Sequence, residues 1–63
     1  MSTKRTVTVT IDRDAAWHLA LLLKRLGWSE VRACAQDDAE AEDIRAAIEA
    51  FEAELRDRGI APR

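Results

Sequence analysis

A single alternating segment opens the chain, and it constrains more than any other feature what the chain can fold into. Residues 6–11 read Thr-Val-Thr-Val-Thr-Ile, with a β-branched side chain at every position. Such alternation is typical of a half-buried β-strand, with Val7, Val9 and Ile11 facing a core. No other segment alternates in this way. Because a strand needs a ladder partner for its backbone groups, we predict a strand over residues 5–11 that pairs with the same strand of a second copy.

The first predicted helix covers residues 14–26. Asp12 and Asp14 are candidates for its N-cap, and Gly27 is positioned to end it in a left-handed conformation. The helix is apolar on two sides, which predicts that it is either sandwiched within the domain or covered by a partner. Its main stripe consists of Ala15, Ala16, Leu19, Leu22, Leu23 and Leu26, with Trp17 and Leu21 nearly opposite.

Two further helices are predicted, a short one over 29–35 and a long one over 39–58. Ser29 is the expected N-cap of the short helix, and Asp37 and Glu40 have capping-box spacing before the long one. The short helix would bury Val31, Cys34 and Ala35, and the long helix has one clean apolar stripe of Ile44, Ile48, Phe51 and Leu55. The predicted fold class is therefore α+β, mostly helical, in a single domain spanning 1–63.

The small size of the chain limits its chemistry. A domain of 63 residues buries only about 60% of the surface that its unfolded chain exposes. Cys34 is the only cysteine and His18 the only histidine, which excludes an internal disulfide and a zinc site of four nitrogen or sulfur ligands. Three short helices hardly enclose a cleft that would shift the pKa values of catalytic carboxylates. We predict a non-enzymatic protein with no metal, no cofactor and no catalytic residue, which acts by binding another macromolecule.

The cellular location is predicted from the lack of long apolar segments in the sequence. No apolar run approaches the roughly 20 residues of a membrane span, and the N-terminus lacks the unbroken apolar stretch of a signal peptide. A cytoplasmic protein without membrane contact is expected, in agreement with a lone thiol.

Charge is distributed unevenly along the chain. The net charge is −2, yet residues 1–36 carry six basic and three acidic side chains, whereas residues 37–57 carry nine acidic and two basic ones. A row of carboxylates on a rigid helix can imitate a phosphate backbone and occupy a basic groove, although charged positions are also what a helix facing water requires. The candidate partner-binding residues are Asp37, Asp38, Glu40, Glu42, Asp43 and Glu49.

An apolar surface is a further candidate. The chain has two tryptophans, and aromatic side chains often anchor interfaces. The candidate apolar interface comprises Trp17, Leu21 and Trp28, which would serve a structural adaptor; packing beneath the strand is the alternative.

The order of a strand, a helix, a Gly-x-Ser turn and another helix resembles the ribbon-helix-helix DNA-binding fold over residues 5–35. The resemblance rests on the alternating segment, on Leu19–Leu26 and on the turn that begins at Gly27. It implies a dimer whose paired strands enter the major groove, with the region of Ser29 touching phosphate. The implied DNA-binding residues are Lys4, Arg5, Thr6, Thr8 and Thr10.

A broader resemblance covers nearly the whole chain. The segments 24–32, 37–41 and 59–63 are similar to those of a family of short, uncharacterised proteobacterial proteins. Such small proteins are frequent on phages and other mobile elements, where some acidic ones are anti-CRISPR inhibitors. This resemblance implies a phage or mobile-element inhibitor that blocks nucleic-acid binding by a host effector complex. A dimeric ribbon-helix-helix regulator or antitoxin is the alternative.

Overall fold

Three helices make up the regular structure of residues 5–62, the part of the chain that a computed structural model describes. Helix α1 spans Arg13–Arg25, α2 spans Trp28–Cys34 and α3 spans Asp38–Asp57. Each helix begins and ends one residue before the bounds expected from the sequence.

The predicted N-terminal strand is wrong, and so is the α+β class. Residues 5–12 form neither helix nor strand, and all their side chains are exposed. Val7 and Val9, which were expected to face a core, are 87% and 69% exposed. The alternation reports only side-chain preference, whereas a strand also requires a ladder partner, and no other segment within 5–62 is extended as a strand. Over these residues the fold is all-α.

Carboxylate caps begin the two longer helices. Asp12 Oδ1 accepts a hydrogen bond from the Ala15 N–H at 2.8 Å, and Asp37 Oδ1 accepts one from the Glu40 N–H at 2.8 Å. The Glu40 carboxylate in turn accepts from the Gln36 N–H at 3.3 Å. These contacts satisfy backbone donors that the first turn of a helix leaves unpaired, so the helix starts are fixed locally.

Helix α2 begins differently from the prediction. Gly27 has φ −97°, not a left-handed value, and it is the N-cap of α2. Its N–H donates to Glu30 Oε1 at 2.7 Å, and the Ser29 hydroxyl donates to Glu30 Oε2 at 3.1 Å. A Cβ at position 27 would lie 2.9 Å from that Oε1, so glycine leaves room for the carboxylate. Ser29 thus lies inside the helix, and Glu30 makes the contact that holds its start.

This arrangement predicts an acid-sensitive start of α2. The Gly27 N–H, helped by the Ser29 hydroxyl, stabilises the charged carboxylate and lowers the pKa of Glu30 below the ordinary 4.5. A depressed folded pKa means that the contribution of the contact to stability is complete above the unfolded value and is lost as pH falls through the folded value. We expect an NMR titration of the Glu30 carboxyl to give a midpoint below 4.5, with the Gly27 amide shifting at the same midpoint.

The matched control is Glu30→Gln, which keeps an acceptor oxygen but has no charge to titrate. Its Gly27 amide should no longer follow that acid transition. A Glu30 midpoint at or above 4.5 in the parent protein would show that the carboxylate is not held by the Gly27 N–H.

The end of α3 is a Schellman motif. Gly59 has φ 81°, a left-handed conformation that favours glycine. The Gly59 N–H donates to the Arg56 carbonyl at 2.9 Å, and the Ile60 N–H donates to the Leu55 carbonyl at 2.9 Å. Leu55 and Ile60 are both buried, as the apolar contact of this motif requires. The motif turns the chain so that residues 60–62 lie against α1.

Helix α3 is the centre of the fold. It packs against both α1 and α2, whereas no Cα atom of α1 lies within 8 Å of one of α2. Helix α1 lies antiparallel to the C-terminal half of α3: Arg13 Nη1, at its start, donates to the Arg58 carbonyl just after α3 at 3.4 Å, while Lys24, near its end, lines a depression with Glu52 of α3. Lys24 Nζ also donates to the carbonyl of Pro62 in the returning C-terminal segment at 3.0 Å. The core of this contact is formed by Ala16, Ala20, Leu55 and Ile60.

The fold is open. Its Cα extents are 33 × 33 × 16 Å, and its radius of gyration is 13.0 Å, against about 10.6 Å for a compact domain of this length. The extended segment 5–12, whose side chains are all exposed, contributes to these dimensions. Of the three helices, α3 alone packs against both others.

Candidate interaction surfaces

The acidic surface consists of the six carboxylates singled out in the sequence. Five of them lie within residues 37–43, at and just after the start of α3, and the sixth follows two turns later. All are exposed except the half-buried Glu40. The set comprises Asp37, Asp38, Glu40, Glu42, Asp43 and Glu49.

Four of the six are engaged within the chain. Asp37 and Glu40 accept backbone hydrogen bonds at the N-terminus of α3. Asp38 Oδ1 accepts from Arg32 Nε at 2.6 Å, and Glu49 Oε2 lies 3.5 Å from Arg45 Nε. Both are exposed ion pairs, of a kind that contributes at most about 1 kcal/mol. A partner would have to compete with these contacts to use the carboxylates concerned.

Glu42 and Asp43 differ from the other four. Both are exposed, and neither has a hydrogen-bond or ion-pair partner among residues 5–62. At about 100° per residue, they lie on the side of α3 opposite the buried Ala41 and Leu55. They are the carboxylates of the acidic surface that a partner can reach without breaking an internal contact.

The predicted DNA-binding residues lie on the extended N-terminal segment. Arg5, Thr6, Thr8 and Thr10 are exposed, and Lys4 lies outside the described residues. The ribbon-helix-helix resemblance requires these side chains to project from a strand, and residues 5–12 form none. The structure therefore leaves these residues without the ribbon that would insert them into a groove.

The predicted apolar interface is only partly exposed. Trp17 is 43% and Trp28 42% exposed, whereas Leu21 is half-buried. Trp17 and Leu21 lie on one flank of α1, and Trp28 begins α2 beside an open groove lined also by Leu26 and Ile48.

Apolar side chains are also exposed where the sequence predicted core. Leu22 is 53% and Phe51 41% exposed, although each belongs to a stripe that was expected to be buried. The sequence did indicate that some apolar side chains of the first helix would be exposed, because they lie on more sides of the helix than one neighbouring helix can cover.

The two residues with reactive side chains are both accessible. Cys34, which was expected to pack inward, is exposed, because α2 buries only Val31. His18 is exposed and its Nδ1 lies 2.8 Å from the Asp14 carbonyl oxygen. Within residues 5–62, no three His, Cys, Asp or Glu side chains converge on a point that could hold a metal ion. None of the helices in this range has both the length and the apolar character needed to cross a membrane.

Comparison with known families gives one match. A family of unknown function, DUF7706, matches residues 1–63. The chain belongs to this family. DUF7706 therefore includes the N-terminal segment and the C-terminal turn as well as the three helices. No curated protein and no solved structure matches the chain.

Proposed function

We propose that this DUF7706 protein is a small, non-enzymatic inhibitor from a phage or other mobile element, acting in the cytoplasm. Its acidic surface would occupy the basic nucleic-acid-binding groove of a host effector complex, such as a CRISPR complex. The observation that carries the proposal is the concentration of five carboxylates within residues 37–43, of which one is paired with an arginine, Arg32.

The physical basis is electrostatic imitation. Carboxylates held on a helix present negative charge at fixed positions, as a nucleic-acid backbone does, and a groove lined by one sign of charge attracts the opposite sign from a distance. A folded helix also loses less conformational entropy on binding than a flexible acidic tail would. We therefore expect association to be fast at low ionic strength and to slow steeply as salt is added.

Stabilisation of the helix start does not account for all of these carboxylates. Acidic side chains favour a helix N-terminus, but the effect falls off within the first turn. Asp37, Asp38 and Glu40 lie in that range, where two of them make the cap contacts. Glu42 and Asp43 lie beyond it and have no internal partner among residues 5–62. Binding is the role that their position supports best.

Reversing this pair of charges tests the proposal. We expect the purified protein to prevent a CRISPR effector complex from binding its target DNA in a gel-shift assay. In Glu42→Lys/Asp43→Lys, two attractive contacts become repulsive, so the concentration needed for half-inhibition should rise about 10-fold or more.

The matched control is Glu54→Lys/Asp57→Lys, which changes the net charge equally at the other end of α3 and should inhibit like the parent protein. Circular dichroism would show that both variants keep the same helix content. An equal loss in both variants would overturn the role of the acidic surface. Failure of the parent protein against effector complexes of every main type would overturn the inhibitor proposal, and a shift of its own upstream DNA by the protein alone at low salt would favour a DNA-binding regulator instead.

A further inference from the structure

We propose that residues 5–12 bind a partner protein by adding to the open edge of its β-sheet. By itself the chain is all-α over residues 5–62, and the pairing belongs to the complex. The partner is defined by its chemistry, as a protein with an unpaired edge strand in a sheet that has one apolar and one solvated face. The segment lies outside the acidic surface, and its role does not depend on inhibition of an effector complex.

The backbone of this segment is available for pairing. Among residues 5–62, no hydrogen bond involves a backbone N–H or carbonyl of residues 5–11, and the first carbonyl that accepts one is that of Asp12, from the Ala16 N–H. Asp12 itself is extended, with φ −71° and ψ 164°. A row of unpaired peptide groups in an extended chain is complementary to the unpaired groups at a sheet edge, and such strand addition is a common mode of peptide recognition.

The side chains favour a strand over a helix. Each of residues 6–11 is β-branched, which restricts the side-chain torsion in a helix and suits the pleated surface of a sheet. Six residues at about 3.3 Å each span roughly 20 Å, the usual length of a strand in a globular protein. The segment is therefore long enough to form one complete edge strand.

The two faces of the segment specify the kind of sheet. Alternate side chains of an extended chain point to opposite faces, so Val7, Val9 and Ile11 share one face and threonines occupy the other. Val7 is 87% and Val9 69% exposed, so the described residues leave this apolar face in water. A sheet with one face on a core and the other in water has the same alternation. The added segment would extend its apolar face with valines and its solvated face with threonines.

An existing sheet suits this segment better than a second copy of it does. Two paired strands alone are marginal in water, and a stable sheet needs three or more strands or a helix packed on its apolar face. A ribbon made by two copies would have to be covered by their own helices, yet α1, α2 and α3 leave Val7 and Val9 exposed. A partner's sheet already supplies both the neighbouring strands and the covered apolar face.

The position of the segment leaves the acidic surface free. Arg13, the residue after the segment, lies at the C-terminal end of α3, where it donates to the Arg58 carbonyl. Five of the six carboxylates of the acidic surface lie at the other end of this helix. Helix α3 has 20 residues and is therefore about 30 Å long. A sheet bound to residues 5–12 and a groove bound to the acidic surface can thus be occupied at the same time.

Photo-cross-linking identifies the partner. A photo-reactive amino acid replaces Thr8 in the full chain, and in a control version it replaces Ala46, which is exposed on α3. After irradiation in a lysate of the native host, mass spectrometry identifies proteins that cross-link through position 8 and not through position 46. We expect a protein whose sheet has an open edge. In its purified complex with the chain, hydrogen exchange should slow in residues 6–11 and in that edge strand.

An exchange of two neighbouring side chains tests the alternation. Thr8→Val/Val9→Thr keeps the composition of the segment but puts a threonine on the apolar face and a valine on the solvated one. The dissociation constant of the identified complex should rise about 10-fold or more. The matched control is Val9→Ile, which preserves both faces and should bind like the parent protein. Both positions are exposed, so the helix content measured by circular dichroism should be the same in all three proteins.

Three results would overturn the proposal. The first is a pattern of cross-linked proteins that is the same for positions 8 and 46. The second is slowed exchange in a helix or loop of the partner instead of an edge strand, or a cross-link only to a second copy of the chain. The third is equal affinity of Thr8→Val/Val9→Thr and the parent protein. The inhibition assay changes only residues of α3, so its outcome and that of this test are independent.

Discussion

Leu55→Ala is expected to lower the free energy of unfolding by about 2–4 kcal/mol. Leu55 is buried in the contact between α3, α1 and the C-terminal turn, and its neighbours are Ala16, Ala20 and Ile60. Two of these neighbours are alanines, which cannot extend into the space that the lost isopropyl group would leave. The same leucine also provides the apolar contact of the Schellman motif. Its removal therefore weakens both the packing of α1 and the turn that follows α3.

The effect is large compared with what the protein can lose. A domain below about 70–80 residues rarely has more than 3–5 kcal/mol of stability from its core. Among residues 5–62, the buried apolar side chains are few and mostly small: Ala16, Ala20, Val31, Ala41, Leu55 and Ile60. We expect Leu55→Ala to be largely unfolded at physiological temperature, as measured by urea and thermal unfolding followed by circular dichroism.

The control is Leu22→Ala, the same chemical change at a leucine that is 53% exposed. It should change the free energy of unfolding by less than about 1 kcal/mol. If the two variants lost equal stability, Leu55 would not be the centre of the core, and the arrangement of α1 on α3 would have to be revised.

The helices could be predicted because their signals are local. Asp12 and Asp37 cap their own helices through contacts three residues away, and Gly59 and Ile60 end α3 through contacts with its last turns. Such interactions depend on spacing along the chain and need no knowledge of the tertiary structure. Gly27 is the exception. Only two residues separate α1 and α2, so the sequence does not show whether this glycine ends the first helix or begins the second.

The packing could not be predicted from the same patterns. The periodicity of α1 shows an apolar stripe of alanines and leucines together, and it does not say which of them face the neighbour. Ala16 and Ala20 do so because small side chains let α1 approach α3 and the returning Ile60 closely. Because the contact is formed by these small side chains with Leu55 and Ile60, Phe51 lies at its edge. Phe51 is 41% exposed although it shares a stripe with Leu55.

The strand was predicted from side-chain composition, which is only one of the two conditions that a strand must meet. Thr6–Ile11 has the composition of a strand, but a strand forms only where a second segment pairs with it. No second segment of this kind lies within residues 5–62. The acidic surface has a comparable limit. The number of its carboxylates follows from the sequence, whereas the engagement of Asp38 by Arg32 and the exposure of Glu42 and Asp43 depend on how α2 packs on α3.

Ala41→Leu is expected to detach α2 from the rest of the protein. Ala41 has no exposed surface, and it lies three residues after Asp38, which is paired with Arg32 of α2. A leucine there adds three carbon atoms to a closed contact, a change that typically costs about 1–3 kcal/mol. Helix α2 has 7 residues, and isolated helices shorter than about 12–15 residues are marginal in water. The strain should therefore be relieved by release and fraying of α2, with α1 still docked on the C-terminal half of α3.

Hydrogen exchange separates this local effect from general unfolding. The amides of residues 31–34, which have helical hydrogen bonds beginning with that of Val31 to the Gly27 carbonyl, should lose their protection in Ala41→Leu, while the hydrogen-bonded amides of α1 and of residues 48–57 should keep theirs. Ala46→Leu is the matched control, since Ala46 is exposed on the opposite side of the same helix and the change in helix propensity is identical. Loss of protection throughout the chain would mean that α2 and α1 depend on each other, although their backbones do not approach each other closely. Protection retained in α2 would mean that the space beside Ala41 can expand.

Release of α2 has a consequence for binding as well. Because Asp38 is paired with Arg32 of α2, release of α2 would free a third carboxylate of the acidic surface. Ala41→Leu should therefore bind a basic groove at least as well as the parent protein, although it is less stable.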